Sequence, residues 1–282
     1  MNAPLSMQRA KLAFLRVASC TAPGLVVLLL AFVGAQAADY FGQRGLSAAA
    51  VEAWHPAAGR LGVIGLAAAS LMLSVVACVL AIAVGTPAAI RLAFFAGRTE
   101  ARLARAALGQ MAGLPSIIVG LVGLAWITPW AGHTLLAGVF TLFLMVFPTY
   151  VLLVAAALAQ EADQRLQTCR ALGLTDRQFA YRVALPAVLP AVVTAAALAL
   201  GKGLGEATAV SLVIGNIGTG ALPGIFEPAS TLTSAILKDH GGATGLHRSA
   251  LFASALCLVA LILVIHGAAA MLAAHLRRRL GV

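Results

Sequence analysis

Apolar residues along this chain come in long uninterrupted runs rather than in alternation, and polar residues collect in the gaps. Six runs fall at about 17–38, 61–84, 106–127, 135–158, 187–214 and 249–274. A helix needs about 20 apolar residues to cross a bilayer, so the pattern predicts an all-α polytopic membrane protein with about six transmembrane helices. Gly85-Thr86-Pro87 is expected to break or kink the second run before Arg91. In the third, Leu114-Pro115-Ser116 interrupts the hydrogen bonding, which marks Gly113 and Pro115 as packing or hinge positions. Gly109-x3-Gly113 and Gly120-x2-Gly123 are spaced for close helix approach. Pro129-Trp130 makes a short turn, with Trp126 and Trp130 suited to the water interface. Residues 39–59, and 215–247 with their glycines and prolines, are expected to be loops.

One stretch, Gln167 to Glu206, belongs to two solvents. Its first half is amphipathic and carries Arg165, Arg170, Arg177 and Arg182 on it or just before it. Gly173 lacks a Cβ and can take the left-handed conformation that ends a helix. Thr175 stands three residues before Gln178, the spacing of a capping box. Phe179 and Val183 then share a face of the short helix that follows, and Pro186 and Pro190 mark the entry to an apolar run. The second half is a membrane span containing Lys202 and Glu206. Each ionised group costs on the order of 2.5–3.5 kcal/mol at a helix centre, so such groups usually mark a pathway or a site. Four residues apart, the two are expected to share a helical face and partly neutralise each other. An internal pair that fastens helices together is the plainer reading, and the residues alone leave both open.

Composition narrows the class. Apolar residues make up 61%, charged residues 10%, and mean hydropathy is +0.98. Soluble domains carry roughly 25% charged residues, so this is an integral membrane protein. The net charge of +10 follows topology rather than gathering on one solvated face, which argues against nucleic acid as a partner. If six spans put both termini on one side, that side holds fourteen Lys and Arg. These are Arg9, Lys11 and Arg16, then four in 91–105, four in 160–186, and Arg277 to Arg279. The other side holds four: Arg44, Arg60, Lys238 and Arg248. The positive-inside rule then places both termini and the 160–186 segment in the cytoplasm. The first apolar run reads as an uncleaved span, in preference to a signal peptide cleaved after Ala35-Gln36-Ala37. Cys20, Cys78, Cys169 and Cys257 lack metal or disulfide spacing and are expected to pack as small hydrophobes.

These motifs resemble those of permease subunits of bacterial ABC importers. That family carries a cytoplasmic loop in which a Gly, nine intervening residues, Ile, one residue and Leu-Pro follow in order. Here Gly173 is followed at that distance by Val183-Ala184-Leu185-Pro186, while Gln167-Thr168-Cys169 stand where the family has Glu-Ala-Ala. The phosphate-uptake branch, of PstC and PstA type and closer to PstC, is the nearer resemblance. Gly201-Lys202-Gly203-Leu204-Gly205-Glu206 and Val213-Ile214-Gly215-Asn216 look like its fifth-span motifs, and Gly113-Leu114-Pro115-Ser116 like its third. Phe226-Glu227-Pro228, Thr231-Leu232 and Gly245-Leu246-His247 extend the likeness. Lys202 replaces an Arg, a point charge in place of a planar bidentate fork.

The resemblance implies an ABC importer type I permease fold. It divides the chain into an N-terminal transmembrane helix and periplasmic loop (1–59), a permease domain (60–276, coupling loop about 164–186) and a basic tail (277–282). It implies residence in the bacterial inner membrane and translocation of inorganic phosphate. The partners implied are a cassette ATPase dimer, a second permease (PstA-like, or a second copy) and a periplasmic phosphate-binding protein. The chain itself binds no cofactor, ATP and Mg being held by the ATPase. Lys202 and Glu206 would line the substrate pathway, and Gly201 and Gly205 would be packing or hinge glycines. Gly173, Thr175, Gln178, Phe179, Val183, Leu185 and Pro186 would form the ATPase-coupling loop.

Other functions find less in the residues. No G-x-x-x-x-G-K-[ST] phosphate loop occurs, and no strand precedes the glycines at 201, 203 and 205, so they are not a nucleotide cradle. The six histidines show no ligand spacing, so no metal site is expected, and Ser116 and Ser211 lack a neighbouring base. A stand-alone secondary transporter would show related halves, and none is evident. A membrane enzyme would need more convergent acids and bases than Lys202 and Glu206. Within importers, phosphonate, sulfate and molybdate are the alternative cargoes.

Overall fold

The computed structural model describes the backbone of residues 5–51, 53–218 and 224–281, and the side chains of residues 21, 23–45, 53–218 and 224–281. The readings of Arg9, Lys11, Arg16 and Cys20 as side chains, and of loop residues 219–223, lie outside the described residues. The described chain is almost wholly helical: α1 (Leu5–Val51), α2 (Val63–Ile90), α3 (Arg98–Ala112), α4 (Ser116–Val122), α5 (Thr128–Ala131), α6 (Leu135–Ala171), α7 (Asp176–Gln178), α8 (Leu185–Ala187), α9 (Leu189–Leu204), α10 (Thr208–Val213), α11 (Leu232–Asp239) and α12 (Gly245–Leu280). A two-residue hairpin, β1 (Trp54–His55) with β2 (Arg60–Leu61), lies between α1 and α2. Among the described residues four helices are long and apolar enough to cross a membrane, and counting each of two bent pairs as one span makes six.

Small residues set the packing. Tyr150 lies against Gly85, where a Cβ would come within 2.7 Å of the ring, and Leu73 against Gly138, where it would come within 2.6 Å. The two contacts are spaced equally along α2 and α6, so these helices run parallel and in register. Parallel neighbours need a return span between them, and α3 to α5 supply it. Helix α9 runs back against both, its Gly203 meeting Leu142 of α6 and Ser74 of α2. The three surround one core in which Leu73, Leu142, Val146 and Tyr150 are fully buried. A second core joins α1, the hairpin, α11 and α12 around Tyr40, Trp54, Leu66 and Leu232.

Several element boundaries differ from the expectation. Helix α2 runs through Gly85-Thr86-Pro87 unbroken to Ile90 and opens only into a wider π turn at Arg91–Phe95. Gly85 is there for the Tyr150 ring, whose hydroxyl bonds Thr86 Oγ1 at 2.8 Å. The third span is not straight: the chain bends by 98° between α3 and the α4–α5 arm, at Leu114-Pro115. Arg98, Arg102 and Arg105, three of the four cations counted in 91–105, are exposed on helix α3. Gly120 and Gly123 do make close approaches, to Ala209 and Thr141, whereas Gly109 and Gly113 face no neighbouring helix.

The first span continues as helix through residues 39–45, expected as loop, and ends at Gly45 with φ 70°. Its last turns are tied to the hairpin: Tyr40 Oη donates to Leu61 O at 2.6 Å and Arg44 to Gly59 O at 2.7 Å. Residues 215–247 contain the capped helix α11, its N-terminus closed by a Thr231–Ser234 capping box. Residues 277–280, expected as a tail, are the last turn of α12, so the three arginines sit at the helix end whose dipole favours them.

Candidate translocation site and coupling elbow

Lys202 lies in the last turn of α9, half-buried between helices. Its Nζ donates to Met145 O at 3.1 Å and to Thr149 Oγ1 at 3.3 Å. Both acceptors flank Pro148, which has no amide proton and whose ring loosens the preceding helical turn. The carbonyl that loses its amide partner is Leu144 O, one residue before the one Lys202 uses. Met145 lies ten residues into α6, about 15 Å along its axis, roughly halfway through a hydrocarbon core of about 30 Å. An ammonium has three protons, so two bonds leave one for a ligand. The partners Met145 O and Thr149 Oγ1 carry no sequence signal of their own. Pro148, inside an apolar run four residues after Leu144, was the available clue.

Glu206 does not sit beside Lys202, contrary to the shared face expected. The helix ends first: Gly205 N bonds Gly201 O at 3.1 Å and Glu206 N bonds Gly203 O at 3.2 Å, tightening the final turn. Glu206 lies past that end, its carboxylate accepting from Ala209 N at 3.0 Å at the start of α10. Among the described residues the two groups form no ion pair. Glu206 O also accepts from Thr233 Oγ1 at 2.9 Å, which links the break to α11. Gly201 and Gly205 have different tasks. Gly201 abuts the His266 imidazole of α12, where a Cβ would lie 3.1 Å from Nε2 and closer still to Cε1, while Gly205 meets only its own helix and serves the break. His266 Nδ1 bonds Ile262 O at 2.9 Å, which holds the ring against α9.

The elbow forms as the residue pattern anticipates. Gly173 has φ 82°, with Gly173 N bonded to Arg170 O at 2.9 Å and Leu174 N to Cys169 O at 3.0 Å, the paired bonds of a Schellman end. Thr175 and Gln178 form a complete capping box, Gln178 N to Thr175 Oγ1 at 3.2 Å and Thr175 N to Gln178 Oε1 at 2.9 Å. Arg170 spans the glycine and grips Asp176 with two bonds of 2.9 Å, a clasp not apparent from spacing. That guanidinium, first through its hydrogen bonds, holds the Asp176 carboxyl below the ordinary carboxylate range. Phe179 is fully buried and meets Phe94 edge-on at 5.7 Å, so it anchors the elbow rather than facing outward. Val183 and Leu185 pack partly against the same core. Around Pro186, α8 ends, and the chain bends by 65° into α9. Left exposed are Leu172 at 75% and Tyr181 at 49%, beside Arg177 and Arg182.

A bundle with a mid-depth cation, a broken span above it and a rigid elbow leading into its helix defines a membrane transport subunit. The chain belongs to the family of binding-protein-dependent transport system inner membrane components, whose model matches residues 81–278. It is therefore an ABC transporter permease of all-α, type I permease fold. Its relatives include a probable ABC transporter permease protein, YqgH, of Bacillus subtilis, 29% identical over 202 residues, 68% of this chain and 65% of that one. The phosphate transport system permease protein PstC of Xylella fastidiosa is 27% identical over 230 residues, covering 70% of this chain and 69% of its own. The chain thus spans about two thirds of the length of these relatives. An inward-facing MetNI methionine ABC transporter is similar in structure, with a TM-score of 0.62 at 22% identity over 79% of this chain and 98% of that one.

Proposed function

We propose that this chain is one of two membrane subunits of an ATP-driven importer of oxyanions, with inorganic phosphate as cargo. The observation that carries the reading is Lys202, an ammonium at mid-depth with a proton to spare. A bare cation there is costly, and an anion passing it offsets that cost at the moment of passage. Similarity to relatives named as phosphate permeases supports phosphate over other oxyanions. Glu206, part of the pathway in this reading, acts by fixing the break above Lys202 rather than by pairing with it.

The 164–186 elbow faces the cytosol with both termini, in accord with the charge count, and docks on a cassette ATPase dimer that supplies ATP and Mg. Leu172, Tyr181, Arg177 and Arg182 form the contact, while buried Phe179 carries motion into the core. Closure of the ATPases tilts α9 about the 65° bend, and Lys202 moves with it. The second permease is PstA-like or another copy, and a periplasmic phosphate-binding protein delivers the anion. The test is ATP-dependent uptake by the assembled transporter in vesicles, with phosphate, sulfate, molybdate and a phosphonate compared. Phosphate is expected to be carried in preference, and preference for another anion would reassign the cargo.

A further inference from the structure

At the end of the bundle opposite the elbow, a cavity of about 280 Å³ opens between the hairpin and α11. This is below the ~300–1,000 Å³ of sites for drug-sized ligands, and suits a small ion with a few waters. Arg60 of β2 and Lys238 of α11 line it from two sides, with His55, Asn216 and Ser230 between them. The one carboxylate in its wall, Asp239, is already engaged: it accepts from Trp54 Nε1 at 3.0 Å and lies 3.7 Å from His247 Nε2. Lys238 is held by a neutral group, Asn216 O, at 3.2 Å. Among the described residues the Arg60 guanidinium has no hydrogen-bonding or ionic partner. Among the described lining residues, two cations therefore face one engaged carboxylate, a surplus of positive charge.

That surplus is not background. By the topology count this end of the molecule holds four Lys and Arg and four Asp and Glu (Asp39, Glu52, Glu227 and Asp239), so it is neutral overall and the surplus is local to the cavity. Two of the four cations line the cavity, and a third, Arg44, braces the hairpin turn through Gly59 O. The hairpin lies ahead of residues 81–278, so membership of the family says nothing about it. Helix α11 is also connected to the translocation site. Its first residues are pinned by Ser70 Oγ, which accepts from Leu232 N at 2.9 Å. Thr233 Oγ1 binds Glu206 O, just past the helix of Lys202.

We propose that this cavity is an outer receiving site for a tetrahedral oxyanion, held by Arg60 and Lys238 before it passes to Lys202. The proposal rests on the oxyanion-importer reading above. Two cations on separate elements can bind one anion from opposite sides, while their exposure keeps the hold weak enough for release. Because the anion joins the hairpin to α11, occupancy also stiffens the element bonded to the break after α9.

The test is equilibrium binding of radiolabelled phosphate to the assembled transporter in lipid nanodiscs without ATP, with sulfate and molybdate run in parallel. The Arg60→Ala/Lys238→Ala pair is expected to weaken binding about tenfold or more, while Lys202→Ala retains the outer component. Arg60→Gln/Lys238→Gln, which keeps the side-chain stems, should show the same loss with normal assembly on gel filtration. Wild-type affinity in both double variants, or no oxyanion bound by the wild type, would overturn the proposal. Binding of sulfate or molybdate but not phosphate, lost in the double variants, would support the site and overturn the phosphate reading.

Discussion

Lys202 and Gly201 are adjacent, yet in the proposed function one serves the cargo while the other serves the packing against His266. A Gly201 side chain must displace a His266 ring that is itself hydrogen-bonded to Ile262 O. Gly201→Ala is therefore expected to lower the thermal stability of the purified transporter, and adding His266→Ala should recover most of the loss, a coupling that a double-mutant cycle measures. Thr149→Val removes one Lys202 acceptor while preserving shape. It is expected to reduce uptake several-fold at unchanged expression, since a half-buried ammonium that loses a partner loses on the order of 1 kcal/mol. Of this site, the sequence shows the charges but not their surroundings. An ionisable residue in an apolar run is visible in one dimension. The Met145 carbonyl it binds belongs to another helix, and nothing in the spacing of residues 202 and 206 reveals that the helix stops between them.

The elbow is the element most legible in the sequence, because each of its parts is local. A left-handed glycine, a capping box and two prolines act through residues within a few positions of one another. Long-range features were hidden: the burial of Phe179 against Phe94, and the 98° bend that turns an apparently simple third span into α3 plus an arm. Apolar length cannot separate a straight span from two bent pieces. Thr175→Ala is expected to cost about 1 kcal/mol of local stability, read as faster amide hydrogen exchange over residues 175–180. The Arg170–Asp176 clasp is exposed and screened, so Asp176→Asn should leave global stability unchanged at neutral pH. Its carboxyl is held below the ordinary range, so the clasp is fully formed above that range and fades only as pH falls through the lowered value. Exchange of the elbow in the wild type should thus be pH-insensitive near neutrality, after correction for intrinsic rates, and rise in acid. In Asp176→Asn that acid rise should be absent.

Across the whole molecule, two cores meet different demands. The core of α2, α6 and α9 is closely fitted at Gly85, Gly138 and Gly203 and holds the mid-depth cation. The core of α1, the hairpin, α11 and α12 holds the opposite end together and frames the outer cavity. Between them the chain runs from elbow to α9 to the Glu206 break, which Thr233 of α11 bonds, and in the proposed reading a push at the elbow travels along this route. Parallel α2 and α6, joined by a bent return, could not be deduced from hydropathy, which counts spans without ordering them. The account stands on Lys202 meeting the cargo while the elbow meets the motor, and the most direct measurement separates those two acts. In vesicles holding the assembled transporter and loaded binding protein, Lys202→Ala should hydrolyse ATP but take up phosphate at least about tenfold more slowly than wild type. Uptake at the wild-type rate by that variant would contradict it.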